Sequence, residues 1–271
     1  MNIMVNEMGY GKYNVDDVLG ENVIFPDYKR FDVSSIDKSR SAHQNWKMGF
    51  SVDKQINGKR LIEDILTESK SYPRFTSGGT FGLMTIEDDY SNISDVVDIN
   101  RNYIIKYNFT QTRRENIITS VKMFYKYDYG KGKYMDYVER EIGDLIPEYD
   151  ATGYDMYNIK KEDGHRDINL KYHTEYSTVS DFARYTLMNY CNSHLEVNLS
   201  LSLNYIQLEV GDIISLPSLK EETAFGINYL EETTINGVGV YPYFIVMEVN
   251  SNIDVVNIKA VQLHDLLGGI Q

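Results

Sequence analysis

Apolar and polar side chains alternate without a break in the stretch Leu195-Glu-Val197-Asn-Leu199-Ser-Leu201-Ser-Leu203-Asn-Tyr205. Successive side chains of a β-strand point to opposite faces, so this order places one face in a core and the other against water or polar neighbours. A helix would spread the same apolar residues around its circumference. The stretch therefore predicts a long amphipathic strand whose inward-facing side chains are Leu195, Val197, Leu199, Leu201 and Leu203.

The sequence on either side of this strand predicts the elements that accompany it. Before it, apolar residues from Val179 to Cys191 follow helical spacing, and Ser177, Thr178 or Ser180 is placed to cap the helix. After it, Gly211-Asp212 is a turn signal between two apolar runs. Residues 241–249 and 255–263 predict a closing hairpin. The order helix, long strand, turn and strand is typical of a β-rich domain.

The rest of the chain has weaker patterns. Helices are predicted for residues 59–70 and from about Asp37, with Ser34 or Ser35 as the cap, and strands for residues 80–86, 103–109 and 117–127. Residues 88–100 predict a polar loop, and residues 134–171 an irregular, acidic and tyrosine-rich surface segment. We therefore predict a β-dominated α+β fold. Residues 1–50 would be an extended segment, residues 51–175 a smaller α+β domain, and residues 176–271 an antiparallel β-barrel with a leading helix.

The amino-acid composition argues against several classes of function. The chain has 271 residues, 27 basic and 40 acidic, and a formal net charge of −13. This acidic balance argues against specific nucleic-acid binding and against docking on anionic membranes, because both require a basic surplus. The 23 tyrosines suit half-buried strands and protein interfaces. A single cysteine excludes an intrachain disulfide, and no apolar run is long enough to predict a membrane span.

Few residues suggest a reactive or metal-binding site. Cys191 would be a nucleophile only beside a histidine, and a buried cysteine on a helix face is the more common case. His173 and Glu175 would supply two metal ligands where zinc needs three or four. The remaining histidines have no ligand spacing to one another: His43, His165, His194 and His264.

Two further segments invite a ligand-binding interpretation that their spacing does not support. The acidic residues Asp88, Asp89, Asp95 and Asp98 lack the alternating ligands, central glycine and closing glutamate of a calcium loop. Residues 130–133 (Gly-Lys-Gly-Lys) lack the spacing and following Ser/Thr of a phosphate-binding loop. We therefore predict no catalytic, cofactor-binding or metal-binding residues and no cofactor.

The order of the elements resembles the tail hub proteins of tailed bacteriophages, the family of tip attachment and baseplate hub proteins. Residues 7–11 (Glu-Met-Gly-Tyr-Gly) with 33–37, and the helix at 58–66 with the strand at 75–83, are similar to the first part of that family's pattern. Residues 113–125 are similar to its "r-x-N-x-v-x-v-x-Y" strand. Residues 183–216 are similar to its helix, long strand and "G-D-v-i" turn, and residues 246–263 to its closing hairpin.

The resemblance implies a virion structural protein. It implies a homo-oligomer, a trimer, whose barrels form a ring that continues the tail tube and lets DNA pass without specific binding. The implied partners are the tail tube or distal tail protein on one side and tip, spike or fibre proteins on the other. Family members usually carry a tube domain ahead of the region matched here. We therefore expect either a separate chain that supplies this domain or a reduced hub.

Two alternatives belong to other function classes. One is a tail-associated cell-wall hydrolase, which a cleft with two facing carboxylates would favour. The other is a carbohydrate-binding β-module, which a row of exposed aromatic side chains would favour. Exposed apolar faces on a single chain would favour the hub. For the hub we expect a location in the virion tail, after synthesis in the host cytoplasm, and a DNA-facing wall with more acidic than basic residues.

Overall fold

A computed structural model describes residues 12–14, 24–26, 30–51, 57–219 and 221–267 of the chain. The chain forms two compact units, one of Met1–Asn45 with Phe50–Ile86 and the other of Trp46–Gly49 with Glu87–Gln271. Residues 1–11, 15–23 and 27–29 of the predicted extended segment 1–50 lie outside the described residues, and residues 7–11 are among them. The predicted division into three segments stays a prediction.

The first unit combines two helices with two hairpins. The helices are α1 (Val33–Ala42) and α2 (Gly58–Thr67), and the strands, numbered along the chain, are β1 (Lys12–Asn14), β2 (Ile24–Pro26), β3 (Ser71–Phe75) and β4 (Phe81–Thr85). Strand β1 pairs with β2, and β3 with β4. The helix at 59–70 and the strand at 80–86 are confirmed. Helix α1 begins earlier than predicted, because the Asp32 side chain rather than Ser34 or Ser35 accepts the capping hydrogen bond, from the Ser35 N–H at 3.2 Å.

The second unit is built around a seven-stranded sheet, called here the main sheet. Its strands are β5 (Val96–Asp98), β6 (Ile104–Gln111), β10 (Leu195–Leu201), β11 (Ile213–Ser215), β14 (Thr233–Ile235), β15 (Val238–Ser251) and β16 (Val256–His264). They lie in the order β5-β11-β15-β16-β10-β6, and β14 also pairs with β15. All pairs are antiparallel except β5 with β11. The predicted closing hairpin is therefore confirmed as β15 and β16.

The long strand that decides the fold is confirmed over seven residues. In β10 the side chains of Leu195, Val197, Leu199 and Leu201 are buried in one core, and the residues between them face outward. Strand β10 ends at Leu201, and residues 203–205 form a 3₁₀ turn. The prediction for Leu203 is therefore wrong, since its side chain is 40% exposed. The chain turns here because Tyr205, not Leu203, enters the core, and its hydroxyl donates to the Asp98 carbonyl.

The main sheet remains open among the described strands. Strands β5 and β6 form its two edges, so the predicted closed barrel is not formed by these strands. The core on its apolar side is filled by side chains of the sheet and of the connection from Tyr205 to Ile235, which contributes Leu208, Leu216, Leu219 and Tyr229. This connection carries a small hairpin, β12 (Thr223–Ala224) and β13 (Ile227–Asn228).

A three-stranded sheet and two helices complete the second unit. The sheet has the order β8-β7-β9, with β7 (Ser120–Asp128), β8 (Lys133–Glu141) and β9 (His165–Asn169), and the helices are α3 (Pro147–Tyr157) and α4 (Tyr176–Tyr190). Strand β7 and helix α4 agree with the sequence. The irregular segment predicted for 134–171 is wrong, because it contains β8, α3 and β9. Strand β5 was likewise missed inside the predicted loop 88–100. No helix among the described residues has the length and apolar character needed to cross a bilayer.

Candidate assembly surfaces

The main sheet ends in a long strand whose outer edge no other described strand covers. Strand β6 has eight residues and pairs only with β10. Exposed apolar side chains lie beside the start of this strand, and together they are called the edge patch: Tyr103, Ile105, Leu203 and Ile206. The Ser202 N–H donates to the Tyr103 carbonyl at 2.9 Å, which holds the two halves of the patch together. A long edge with apolar neighbours is a template for pairing with another chain.

The outward face of the main sheet is polar. A shallow groove of about 520 Å³ runs across β6, β10, β16 and β15. Its side chains are mostly amides, hydroxyls and ions: Lys106, Asn108, Asn198, Ser200, Glu248, Asn250, Asn257 and Lys259. The Ser200 hydroxyl donates to the Asn257 side-chain oxygen at 2.7 Å. Such a face offers hydrogen bonds but no deep pocket.

The charged residues of this polar face have no basic surplus. Two lysines, Lys106 and Lys259, lie on it with three carboxylates, Glu196, Glu248 and Asp98. Lys259 Nζ lies 3.2 Å from a Glu196 carboxylate oxygen, so one ion pair is formed between neighbouring strands. Among these five residues the acidic ones outnumber the basic ones by one.

A row of aromatic rings lies on one side of the three-stranded sheet. The ring of Phe124 lies 6.0 Å from that of Tyr137 and 6.4 Å from that of Tyr134, and Tyr127 lies 5.0 Å from Tyr134. Lys122 Nζ lies 4.1 Å from the centre of the Tyr137 ring, in a cation–π contact. The Tyr137 side chain is half exposed. Lys171 Nζ also lies 5.6 Å from the centre of the Tyr127 ring, so these rings give an apolar surface with hydroxyl groups and two cations.

Cys191 lies in the core rather than in a cleft. It follows the last turn of α4, is fully buried, and its Sγ lies 3.5 Å from the Met188 carbonyl oxygen. Burial raises the pKa of the Cys191 thiol to about 12. The thiolate, which is the nucleophilic form, is therefore scarce at neutral pH.

The aspartates and histidines that were considered as candidate ligands take part in separate structural contacts. Asp88 forms an ion pair with Arg184, and Asp89 accepts from the Tyr241 hydroxyl at 2.8 Å. Asp98 accepts a hydrogen bond from Ser215 on the neighbouring strand, and His173 stacks on Phe182 at 5.7 Å. Within the described ranges, no three His, Cys, Asp or Glu side chains lie close enough to hold a metal ion. Residues 130–132 lie in the turn between β7 and β8, and Lys133 is the first residue of β8. In this turn the Asp128 carboxylate accepts from the Gly130 and Lys131 N–H groups.

Two histidines that are far apart in sequence meet in the core, and no pattern in the sequence predicts this contact. The rings of His194 and His264 are stacked with their centres 3.8 Å apart. His194 Nδ1 lies 2.9 Å from the Gln262 carbonyl oxygen, and its Nε2 lies 2.5 Å from the Asn189 carbonyl oxygen. Carbonyl oxygens only accept, so both contacts are hydrogen bonds only when both ring nitrogens carry protons. The His264 nitrogens have no hydrogen-bond partner among the described residues.

Solved structures similar to this chain include a chain of a virion and two tail proteins. One is a chain of the native gene transfer agent virion, with a TM-score of 0.48 and 10% identity over 77% of this chain. The tail protein of Neisseria meningitidis MC58 has a TM-score of 0.44 and 9% identity over 84% of this chain. A prophage tail protein of Listeria monocytogenes EGD-e has a TM-score of 0.43 and 13% identity over 93%. The chain spans 40%, 65% and 65% of the lengths of these three proteins, respectively. No family model and no curated protein matches the sequence.

Proposed function

We propose that this chain is a structural component of a bacteriophage tail tip or baseplate hub and helps to form the ring that continues the tail tube. The observation that carries the proposal is the main sheet, which combines a long uncovered edge and an apolar edge patch with a polar face that has no basic surplus. The edge and its patch would join a neighbouring chain, and the polar face would line the DNA path. The order of sequence elements described above supports the same function.

The proposed assembly is a homotrimer in the virion tail. Strand β6 and the edge patch bury against a neighbouring chain, so that the sheets together complete the barrel that one chain leaves open. The tail tube or distal tail protein docks on one side of the ring, and tip, spike or fibre proteins on the other. The protein has no catalytic activity of its own.

Gold-labelled antibody against this chain tests the proposal on intact particles. We expect the gold label at the tip of the tail and nowhere else on the virion. Averaged end-on images of the labelled tails are expected to show threefold symmetry. Label on the capsid or on free host proteins, or cell-wall hydrolysis by the pure protein, would overturn the proposed role.

A carbohydrate-binding module is the second candidate, and the aromatic row on β7 and β8 favours it. Aromatic rings with hydroxyl groups on a flat sheet can stack on sugar rings and hydrogen bond to them. Binding of the pure protein to host surface polysaccharide, lost in Tyr137→Ala and kept in Tyr103→Ala, would favour this candidate. Equal binding by both variants, or no binding, would exclude it.

A further inference from the structure

The hairpin of β12 and β13 carries a strained aromatic residue at its tip. Phe225 and Gly226 are its two central residues, and their φ angles are 52° and 80°. Positive values at both positions are typical of a type I′ turn, in which Asn-Gly is the preferred pair. A bulky side chain is disfavoured in this left-handed region, so the backbone of Phe225 is strained.

Packing within the chain does not offset this strain. The Phe225 side chain is 63% exposed. The arms of the hairpin are nevertheless fixed, because Ile227 and Tyr229 are buried in the core and the Tyr229 ring stacks on Phe109 with the ring centres 4.8 Å apart. A large apolar side chain that is held exposed on a fixed support is expected where a partner buries it.

The hairpin is also acidic. Four exposed glutamates flank its arms: Glu221, Glu222, Glu231 and Glu232. Lys220 is the only basic residue of the sequence from 220 to 237, so four glutamates less one lysine give this segment a formal net charge of −3. Such a tip repels anionic lipid headgroups and nucleic acid. It favours an apolar surface with cations beside it.

The edge patch on β6 and the end of β10 is an apolar surface of the required size. Its four side chains are between 40% and 61% exposed: Tyr103, Ile105, Leu203 and Ile206. The ring of the buried Tyr205 lies 6.0 Å from that of Tyr103, edge to face, and the Tyr205 hydroxyl accepts from the Asn100 N–H at 2.8 Å. The patch therefore rests on a fixed aromatic base, which keeps the cost of ordering it on contact low.

The charges beside the edge patch are cationic. The two segments that form it, residues 99–108 and 199–208, contain two exposed cations, Arg101 and Lys106, and no aspartate or glutamate. Arg101 Nη1 donates to the Ile104 carbonyl at 3.1 Å, which fixes this guanidinium at the start of β6. The patch is thus a local cationic region on a chain whose net charge is −13.

The next acidic residues along the chain contact other strands of the main sheet. The Asp98 carboxylate accepts from the Ser215 hydroxyl on β11. Glu209 begins the turn in which the Gly211 N–H donates to the Val246 carbonyl on β15 at 2.8 Å. The patch therefore offers what the hairpin tip requires, apolar side chains with cations beside them.

We propose that Phe225 of one copy of this chain packs on the edge patch of a second copy, with the glutamates of the hairpin facing Arg101 and Lys106. Tip and patch are different surfaces, so the contact is head-to-tail and forms a closed ring when its rotation allows. The inference rests on the proposed function in that it names the part of the neighbouring chain that covers the edge patch. The contact itself can be measured on the isolated full chain.

Three single variants test the contact by sedimentation velocity over a range of protein concentrations. Phe225→Asn places a preferred residue in the turn, so folding stability is expected to stay equal or rise while self-association weakens about tenfold or more. Ile206→Glu, at a position that is 57% exposed, places a carboxylate in the patch and is expected to weaken self-association equally without loss of folding. Met135→Gln is the matched control, because Met135 is 47% exposed on β8, outside both surfaces. It is expected to associate as the unmodified chain does.

A mixing experiment tests the direction of the contact. Phe225→Asn retains an intact patch and Ile206→Glu an intact tip, so an equimolar mixture is expected to form heterodimers and nothing larger. A mixture that stays monomeric, or a Phe225→Asn variant that associates as tightly as the unmodified chain, would overturn the proposal. An unmodified chain that stays monomeric would also overturn it and leave a different protein as the partner of Phe225. Antibody labelling of tails is unaffected by these outcomes, so the two proposals fail independently.

Discussion

At the residue scale, the stacked pair of His194 and His264 couples folding to pH. Burial lowers the pKa of His264 well below its ordinary value, and the electrostatic effect of the neighbouring His194 lowers it further. His264 is therefore neutral in the folded protein. An unfolded histidine titrates near pH 6.5, so below that pH the unfolded chain binds a proton that folded His264 does not.

We accordingly predict that acid weakens folding through His264. Below about pH 6.5 the unfolded state binds more protons, so the free energy of unfolding falls as pH falls, by about 1.4 kcal/mol per pH unit for one group. Urea unfolding at pH 7.5, 6.0 and 5.0 measures this dependence. His264→Phe keeps an aromatic ring in the stack. In this variant the slope of the unfolding free energy against pH is expected to decrease by the amount that corresponds to about one bound proton. An unchanged slope in that variant would show that His264 does not stay neutral in the folded state.

Cys191 provides a second prediction at this scale. Because burial raises the pKa of its thiol to about 12, the native protein is expected not to react with a thiol reagent at pH 8. In concentrated urea one thiol per chain is expected to react rapidly. Mass spectrometry measures directly whether the single thiol is labelled. Rapid labelling of the native protein would contradict the buried position of Cys191.

At the scale of elements, strand β10 holds the main sheet together because it pairs with both β6 and β16. Leu199 is buried at its centre, so Leu199→Ala is expected to lower the free energy of unfolding by about 2–5 kcal/mol. Asn198 is the matched control on the same strand, since its side chain faces outward. Asn198→Ala is expected to change stability by about 0.5 kcal/mol or less. Similar effects of the two substitutions, measured by urea unfolding, would show that the faces of the strand are assigned wrongly.

Helices and strands whose apolar residues recur at a regular spacing could be predicted from the sequence, and those without such a spacing could not. Strand β10, helix α4 and the hairpin of β15 and β16 each bury one regular face, so the apolar period is visible in the sequence. Strand β8 buries only Val138 among nine residues, which leaves no alternation to detect. Strand β5 has three residues and takes its register from β11 far along the chain. Such elements depend on tertiary pairing, not on a local signal.

The candidate surfaces could be predicted from the sequence even less well than these strands. That β6 forms an edge follows from the order of strands, which no local pattern specifies. The stacking of His194 on His264 likewise requires the register of β10 against β16. At Phe225-Gly226 the glycine is a turn signal, but the positive φ of Phe225 becomes evident only in the folded hairpin.

At the scale of the whole molecule, the distribution of charge bears on the proposed DNA path. The chain has a formal net charge of −13, and the polar face of its main sheet carries two lysines and three carboxylates. A basic wall would retain DNA by releasing counterions, whereas a wall without a basic surplus lets the backbone slide. The chain as a whole meets this condition, and so does the polar face.

We predict that the isolated protein does not retain duplex DNA at low salt. The informative comparison is Glu248→Lys, which replaces an exposed carboxylate on the polar face with a cation. This variant is expected to gain weak DNA binding that disappears as salt is raised, measured by fluorescence anisotropy between 20 mM and about 200 mM salt. Salt-sensitive binding of duplex DNA by the unmodified chain would contradict the proposal that the polar face lines the DNA path.

The measurement that tests the central proposal most directly is a cryo-electron microscopy reconstruction of the intact tail tip at side-chain resolution. We predict a threefold ring in which β6 and the edge patch are buried against a neighbouring chain and the polar face of the main sheet lines the channel. A ring of six identical copies, a single copy per tail, or an edge patch that remains in solvent would contradict it.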